Sequence, residues 1–150
     1  MKQNPHFETA LSWEEAEALV TFKPLNPCRT EGFTLQSIAI YVRDYKHREL
    51  PVGERSLEAH YDGFVFTQRS CGKDEARRLA LEVSYGRLPI EAKIACHEAR
   101  VYELGPEPEP NDIDPRNPAV VVWHDSEMLL LIASDQLPSD ALVRIAESVY

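Results

Sequence analysis

The chain has 150 residues, 43% of them hydrophobic and 27% charged, enough to bury a core of its own, so a single domain over 1–150 is expected. Its 16 Lys and Arg face 25 Asp and Glu, and the formal net charge of −9 repels phosphate backbones, which argues against nucleic acid as a partner. The longest apolar stretches, 119–123 and 128–133, are far short of the roughly 20 residues that cross a bilayer. No basic segment followed by an apolar run opens the chain, so no secretory signal is expected and a cytoplasmic setting is the default.

Ser12 followed by Glu15 is a capping pair, and it predicts a helix over Trp13–Val20 whose apolar stripe is Trp13, Ala16 and Val20. Pro24 and Pro27 end that region. From Thr34 to Arg43, Ile38, Ile40 and Val42 alternate with Ala39 and Tyr41, the period of an interior strand that is apolar on both faces. Asp44–Arg55 has no apolar period and reads as an exposed, charged connection.

Ser56–Tyr61 and Phe64–Ser70 flank Asp62-Gly63, the dipeptide suited to a two-residue type I′ hairpin turn. That register sets Tyr61 against Phe64, Ala59 against Phe66 and Leu57 against Gln68 on one face. Ala76, Leu79, Ala80 and Val83 predict a helix over Asp74–Tyr85 that stops at Gly86. Ile90–Cys96 and Ala99–Leu104 predict a second hairpin about His97-Glu98.

Gly105–Pro118 contains Pro106, Pro108, Pro110, Pro115 and Pro118 among acidic residues and is read as a loop inside the domain. Ala119–His124 and Glu127–Ser134 predict a third hairpin about Asp125-Ser126. A closing helix over Ser139–Val149 should lie on the sheet through Leu142, Ile145, Ala146 and Val149, with Asp140 and Arg144 paired on another face.

Candidate chemistry is sparse. Cys28, Cys71 and Cys96 are an odd number at wide spacing, which favours reduced thiols over a disulfide framework. His60, His97 and His124 with these cysteines lack the ligand spacing of a zinc site, so neither a metal nor another cofactor is expected. A nucleophilic pair, for example Cys71 with His60, is the enzymatic alternative. Asp112, Asp114, Asn111 and Asn117 offer oxygens for calcium without the Gly and distal Glu of the helix-loop-helix site, and a solvated acidic loop is the simpler reading. Trp13, Tyr61, Phe64, Phe66 and Trp123 either line a groove for an acyl chain or peptide or form the core, and a domain this size needs its large side chains inside.

In scattered pieces covering nearly the whole chain, the sequence resembles a family of uncharacterised domains. These are found at the extracytoplasmic ends of bacterial anti-sigma-factor-like membrane proteins and lipoproteins. The pieces are Ser12-Trp13-Glu14-Glu15-Ala16 leading to Phe22 and Pro27, the hairpin with Tyr61 and Gln68, Val122-Trp123 through Ser134, and Leu142 through Val149. The resemblance implies an α+β fold: a curved antiparallel sheet of about six to seven strands, with N-terminal and C-terminal helices packed on one face, in outline similar to lipoprotein carriers. It implies no catalytic residues. Two departures stand out: relatives follow a membrane anchor, whereas Met1 lies only a short way before Ser12, and the Arg43–Arg55 connection is more charged than the family pattern. The expected function is a non-enzymatic binding or sensory module for a protein or lipid-like partner, with Trp13, Tyr61, Phe66 and Trp123 as its candidate groove residues. The alternative is a small cysteine-dependent hydrolase or thiol enzyme using Cys71 or Cys96.

Overall fold

The computed structural model describes residues 6–82, 87–113 and 115–150. In chain order they form strand β1 (Phe7–Ala10), helix α1 (Trp13–Glu17), β2 (Leu35–Tyr41), β3 (Ser56–Tyr61), β4 (Val65–Ser70), α2 (Lys73–Glu82), β5 (Ile90–Ile94), β6 (His97–Tyr102), β7 (Ala119–Asp125), β8 (Met128–Ser134) and α3 (Ser139–Glu147). The fold is α+β, with one antiparallel sheet in the order β1-β2-β3-β4-β8-β7-β6-β5. Two meanders of four strands meet where β4 pairs with β8. The sheet has eight strands instead of the six to seven expected. The additional one is β1, only 4 residues long and too short to display a two-residue period, which pairs Phe7–Ala10 against Ile38–Tyr41.

α1 is capped as expected: Ser12 Oγ accepts from Glu15 N–H at 3.2 Å, while the Glu15 carboxylate accepts from Leu11 N–H at 2.8 Å. The helix stops at Glu17, short of Val20, because Leu19 N–H turns back to the Ala16 carbonyl at 3.0 Å. β2 is interior as read, with Ile38, Ala39 and Ile40 all buried between β1 and β3. Of the helix predicted over Asp74–Tyr85, α2 accounts for the part up to Glu82; Val83, Tyr85 and the Gly86 stop lie outside the described residues.

The three hairpins exist, and their turns differ from expectation in instructive ways. β3 and β4 adopt the anticipated register, Leu57 opposite Gln68 and Ala59 opposite Phe66, with Tyr61 N–H bonded to the Phe64 carbonyl at 2.9 Å. The turn is not type I′, since neither Asp62 nor Gly63 has a left-handed φ. Glycine is required there for space: a Cβ on Gly63 would collide with the Phe33 ring. The left-handed pair occurs instead at Ala95 (φ 48°) and Cys96 (φ 73°), so the second hairpin turns two residues earlier than His97-Glu98 and closes on Ile94 opposite His97. The third turns at Ser126-Glu127, one residue later than expected, with Asp125 opposite Met128 and Ser126 at φ 51°.

Alternate residues of β7 feed two apolar clusters. Val121 and Trp123 join Phe66, Leu130 and Ile132, together with Ala16 and Val20 from the α1 region and Leu142, Ile145 and Ala146 of α3. Val120 and Val122 join Tyr102 and Ala80 of α2. The one fully buried amide side chain among the described residues, Gln68, is satisfied like a strand: its Nε2 donates to the Leu25 carbonyl and its Oε1 accepts from Leu25 N–H, both at 2.7 Å. The Pro-rich loop is closed at its neck, where Gly105 N–H bonds to the Asn117 carbonyl at 2.9 Å.

Candidate binding cleft

The four candidate groove residues do not gather along an open surface. Phe66 and Trp123 are completely buried, with rings near-parallel at 6.1 Å between centroids, and Tyr61 is buried against Phe64. Trp13 packs half-buried on the outside of the same cluster. Burial pushes the Tyr61 phenol up to about 12.

The histidines and cysteines are spread over the fold. His60 contacts Glu58 at 3.1 Å, and its strand partner is Val65, six residues before Cys71 on the same strand path. At a rise of ~3.3 Å per residue, Cys71 and His60 stand about 20 Å apart, at opposite ends of the hairpin. His97 faces Asp125 at 3.6 Å and His124 faces Glu98 at 3.7 Å; these adjacent rungs of β6 and β7 point to opposite sides of the sheet. Tyr150 crosses the first of them, its hydroxyl accepting from the Trp123 indole and donating to Asp125, each at 3.0 Å. Burial raises the Tyr150 phenol to about 12, with Trp123 opposing and Asp125 adding to the shift. Among the described residues, no three His, Cys, Asp or Glu converge as metal ligands. Asp112 accepts instead from Glu109 N–H at 2.8 Å, and Asp114 lies outside the described residues.

A cleft of about 840 Å³ lies between the β2–β3 connection and the junction of β4 with α2. The connection is itself a small folded excursion. Leu50 N–H bonds to the Val42 carbonyl at 2.7 Å, His47 takes a left-handed φ of 61°, and Asp44 ties the tip together. Its Oδ1 accepts from Lys46 and Arg48 amides at 2.8 and 3.0 Å, and its Oδ2 from the Arg48 guanidinium at 2.9 Å. Against desolvation, which acts upward, these bonds hold the Asp44 carboxyl below its ordinary range. Tyr45, at the cleft wall, is 79% exposed.

Four carboxylates, Asp44, Glu54, Glu75 and Glu127, line the cleft with a single cation, Arg69, and Arg69 is paired with Glu75 at 3.8 Å. The acids come from three segments: the β2–β3 connection, which supplies both Asp44 and Glu54, then α2 and the β7–β8 turn. Cys71 also borders the cleft, its N–H held by the Glu127 carbonyl at 2.8 Å. Burial pushes the thiol up, Arg69 works against that and Glu75 adds to it, so the sulfur stays protonated at neutral pH.

The sequence signal for this cleft was faint. Tyr45 is the one aromatic residue in the charged run read as an exposed connection, and the carboxylates are too far apart in sequence to announce a common wall. No family model, curated protein or solved structure matches the chain.

Proposed function

We propose that this chain is a non-enzymatic binding module whose cleft takes a cationic segment of a partner protein. The observation that carries the reading is the meeting of four acidic residues on one open cavity of about 840 Å³, where Asp44 is tied to Arg48 and Glu75 to Arg69, so that Glu54 and Glu127 carry the surplus negative charge. Exposed Tyr45 already holds the Lys46 ammonium 5.6 Å from its ring centroid, and its other face is the one on which a Lys or Arg of the partner can lie. An acyl chain would want an apolar slot, and the large aromatics that could line one are occupied in the core, so the chemistry favours protein over a lipid-like ligand. A thiol kept neutral, with His60 at the far end of its hairpin, supports binding over the cysteine-dependent alternative.

The resemblance to domains associated with anti-sigma factors belongs to the same proposal. It supports a sensory setting, with α1 and α3 on one face of a curved sheet and the cleft left open. Among the described residues no helix is long and apolar enough to cross a membrane. The test is calorimetric titration with a short oligo-arginine peptide. Expected is binding that weakens steeply with salt and is lost in the Glu54→Lys/Glu75→Lys variant, with Tyr45→Ala weakening it about three- to tenfold. Salt-insensitive binding, or equal affinity in the charge-reversed variant, overturns the reading.

A further inference from the structure

We propose that the outer edge of β5 pairs with the same edge of a second copy of this chain, antiparallel and two-fold about Ala92, joining two sheets into one. The proposal is independent of the cleft, none of whose lining residues lies in β5.

β5 ends the sheet, with β6 on one side and no strand on the other among the described residues. Because the two-residue turn closes on Ile94 and His97, that pair exchanges backbone hydrogen bonds, and so do Ala92 with Ala99 and Ile90 with Val101. The amides and carbonyls of Glu91 and Lys93 therefore face outward. Pro89 has no N–H to offer, so the free donors of this edge are concentrated on those two residues.

Laid antiparallel against itself about Ala92, the strand sets Glu91 opposite the partner's Lys93 and Lys93 opposite the partner's Glu91, each pair exchanging two backbone bonds. On the face that carries the core, Ile90 falls opposite the partner's Ile94, whose side chain is already buried within its own subunit. Registers centred on Glu91 or Lys93 put like charges together, so side-chain charge selects one alignment.

Both charged side chains are available for it. Glu91 is 85% exposed and reaches Arg100 only at 4.0 Å. Glu98, opposite Lys93 across β6, is engaged by Arg77 at 3.5 Å and His124 at 3.7 Å. Apolar surface also waits at this edge: Ile90 is 49% exposed and Leu88, two residues before it, is 94% exposed. A bare edge of this kind invites pairing, and a self-complementary charge pattern directs that pairing to one closed dimer.

Sedimentation equilibrium of the full chain in a dilution series reaching about 1 mM tests this. The wild type should dimerise. Glu91→Lys and Lys93→Glu should each weaken the dimer about tenfold or more, the first by facing Lys with Lys twice and the second Glu with Glu. The double variant Glu91→Lys/Lys93→Glu should restore the dimer, and so should an equimolar mixture of the two single variants, since residue 91 of each then faces residue 93 of the other and both pairs join Lys with Glu. Thermal melts should show all variants folded, as both positions are exposed. A wild type that stays monomeric, single variants that dimerise like the wild type, or a double variant as weak as the singles overturns the proposal.

Discussion

The β3–β4 and β5–β6 hairpins have the same plan, two strands and a two-residue connection, and they use their residues in opposite ways. The inner hairpin is flanked by β2 and β8, carries Gln68 and Phe66 into the core, and places its glycine where Phe33 leaves no room for a side chain. The outer hairpin has a free edge and makes its left-handed turn from alanine and cysteine, which tolerate that backbone less readily than glycine. Turn strain is thus accepted where the strand ends the sheet, and steric economy is enforced where the hairpin is enclosed.

Removing the inner hairpin's polar anchor should break this contrast most severely. Gln68→Leu leaves the Leu25 N–H and carbonyl without their partners and should cost about 2–4 kcal/mol, read from urea unfolding. Gly63→Ala comes next: the added methyl must displace the Phe33 ring, at about 1–3 kcal/mol. Pairing it with Phe33→Leu should recover part of that loss, a coupling that a double-mutant cycle measures.

The tyrosine that buttresses each hairpin sharpens the comparison by pH. Tyr61 at the inner turn and Tyr150 across β7 both have phenols raised from 10.0 to about 12, so the folded state favours the protonated ring. Their contribution is complete below pH 10 and is lost as pH climbs through about 12. Spectrophotometric titration should show late phenolate formation, and Tyr150→Phe should remove one such step while costing about 1–3 kcal/mol at neutral pH, because the enclosed Trp123 indole loses its acceptor. The smallest effect belongs to the outer turn. Cys96→Gly should raise stability by about 0.5–1 kcal/mol by relieving its φ of 73°, whereas glycine at Asp62 should bring no such gain.

Strand pairing was legible where alternation was long and turn chemistry local. Leu57, Ala59 and Tyr61 against Gln68, Phe66 and Phe64 follow from a period of two, whatever the turn's dihedrals. The same reasoning misplaced the His97-Glu98 turn because Ala95-Cys96 carries no Gly or Asn to mark a left-handed pair. β1 was missed because Phe7–Ala10 is defined by its partner β2 more than by its own pattern. The Asp140–Arg144 pair was anticipated at helical spacing, but Arg144 also donates to Glu31 at 3.0 Å, 113 residues away in sequence, a contact no local rule contains. The cleft was hidden for the same reason, since its acids come from distant segments that only the fold assembles.

The bond between Trp123 and Tyr150 has an optical consequence. The chain's two tryptophans differ in access: Trp123 is wholly enclosed and donates to a phenol, while Trp13 is half-buried at the surface of the cluster. Iodide should quench emission from Trp13 and spare Trp123. Once the phenol ionises, the phenolate 3.0 Å from the indole nitrogen becomes an energy acceptor for Trp123. Emission from the shielded indole thus gauges, without any added dye, whether residue 150 is seated against β7.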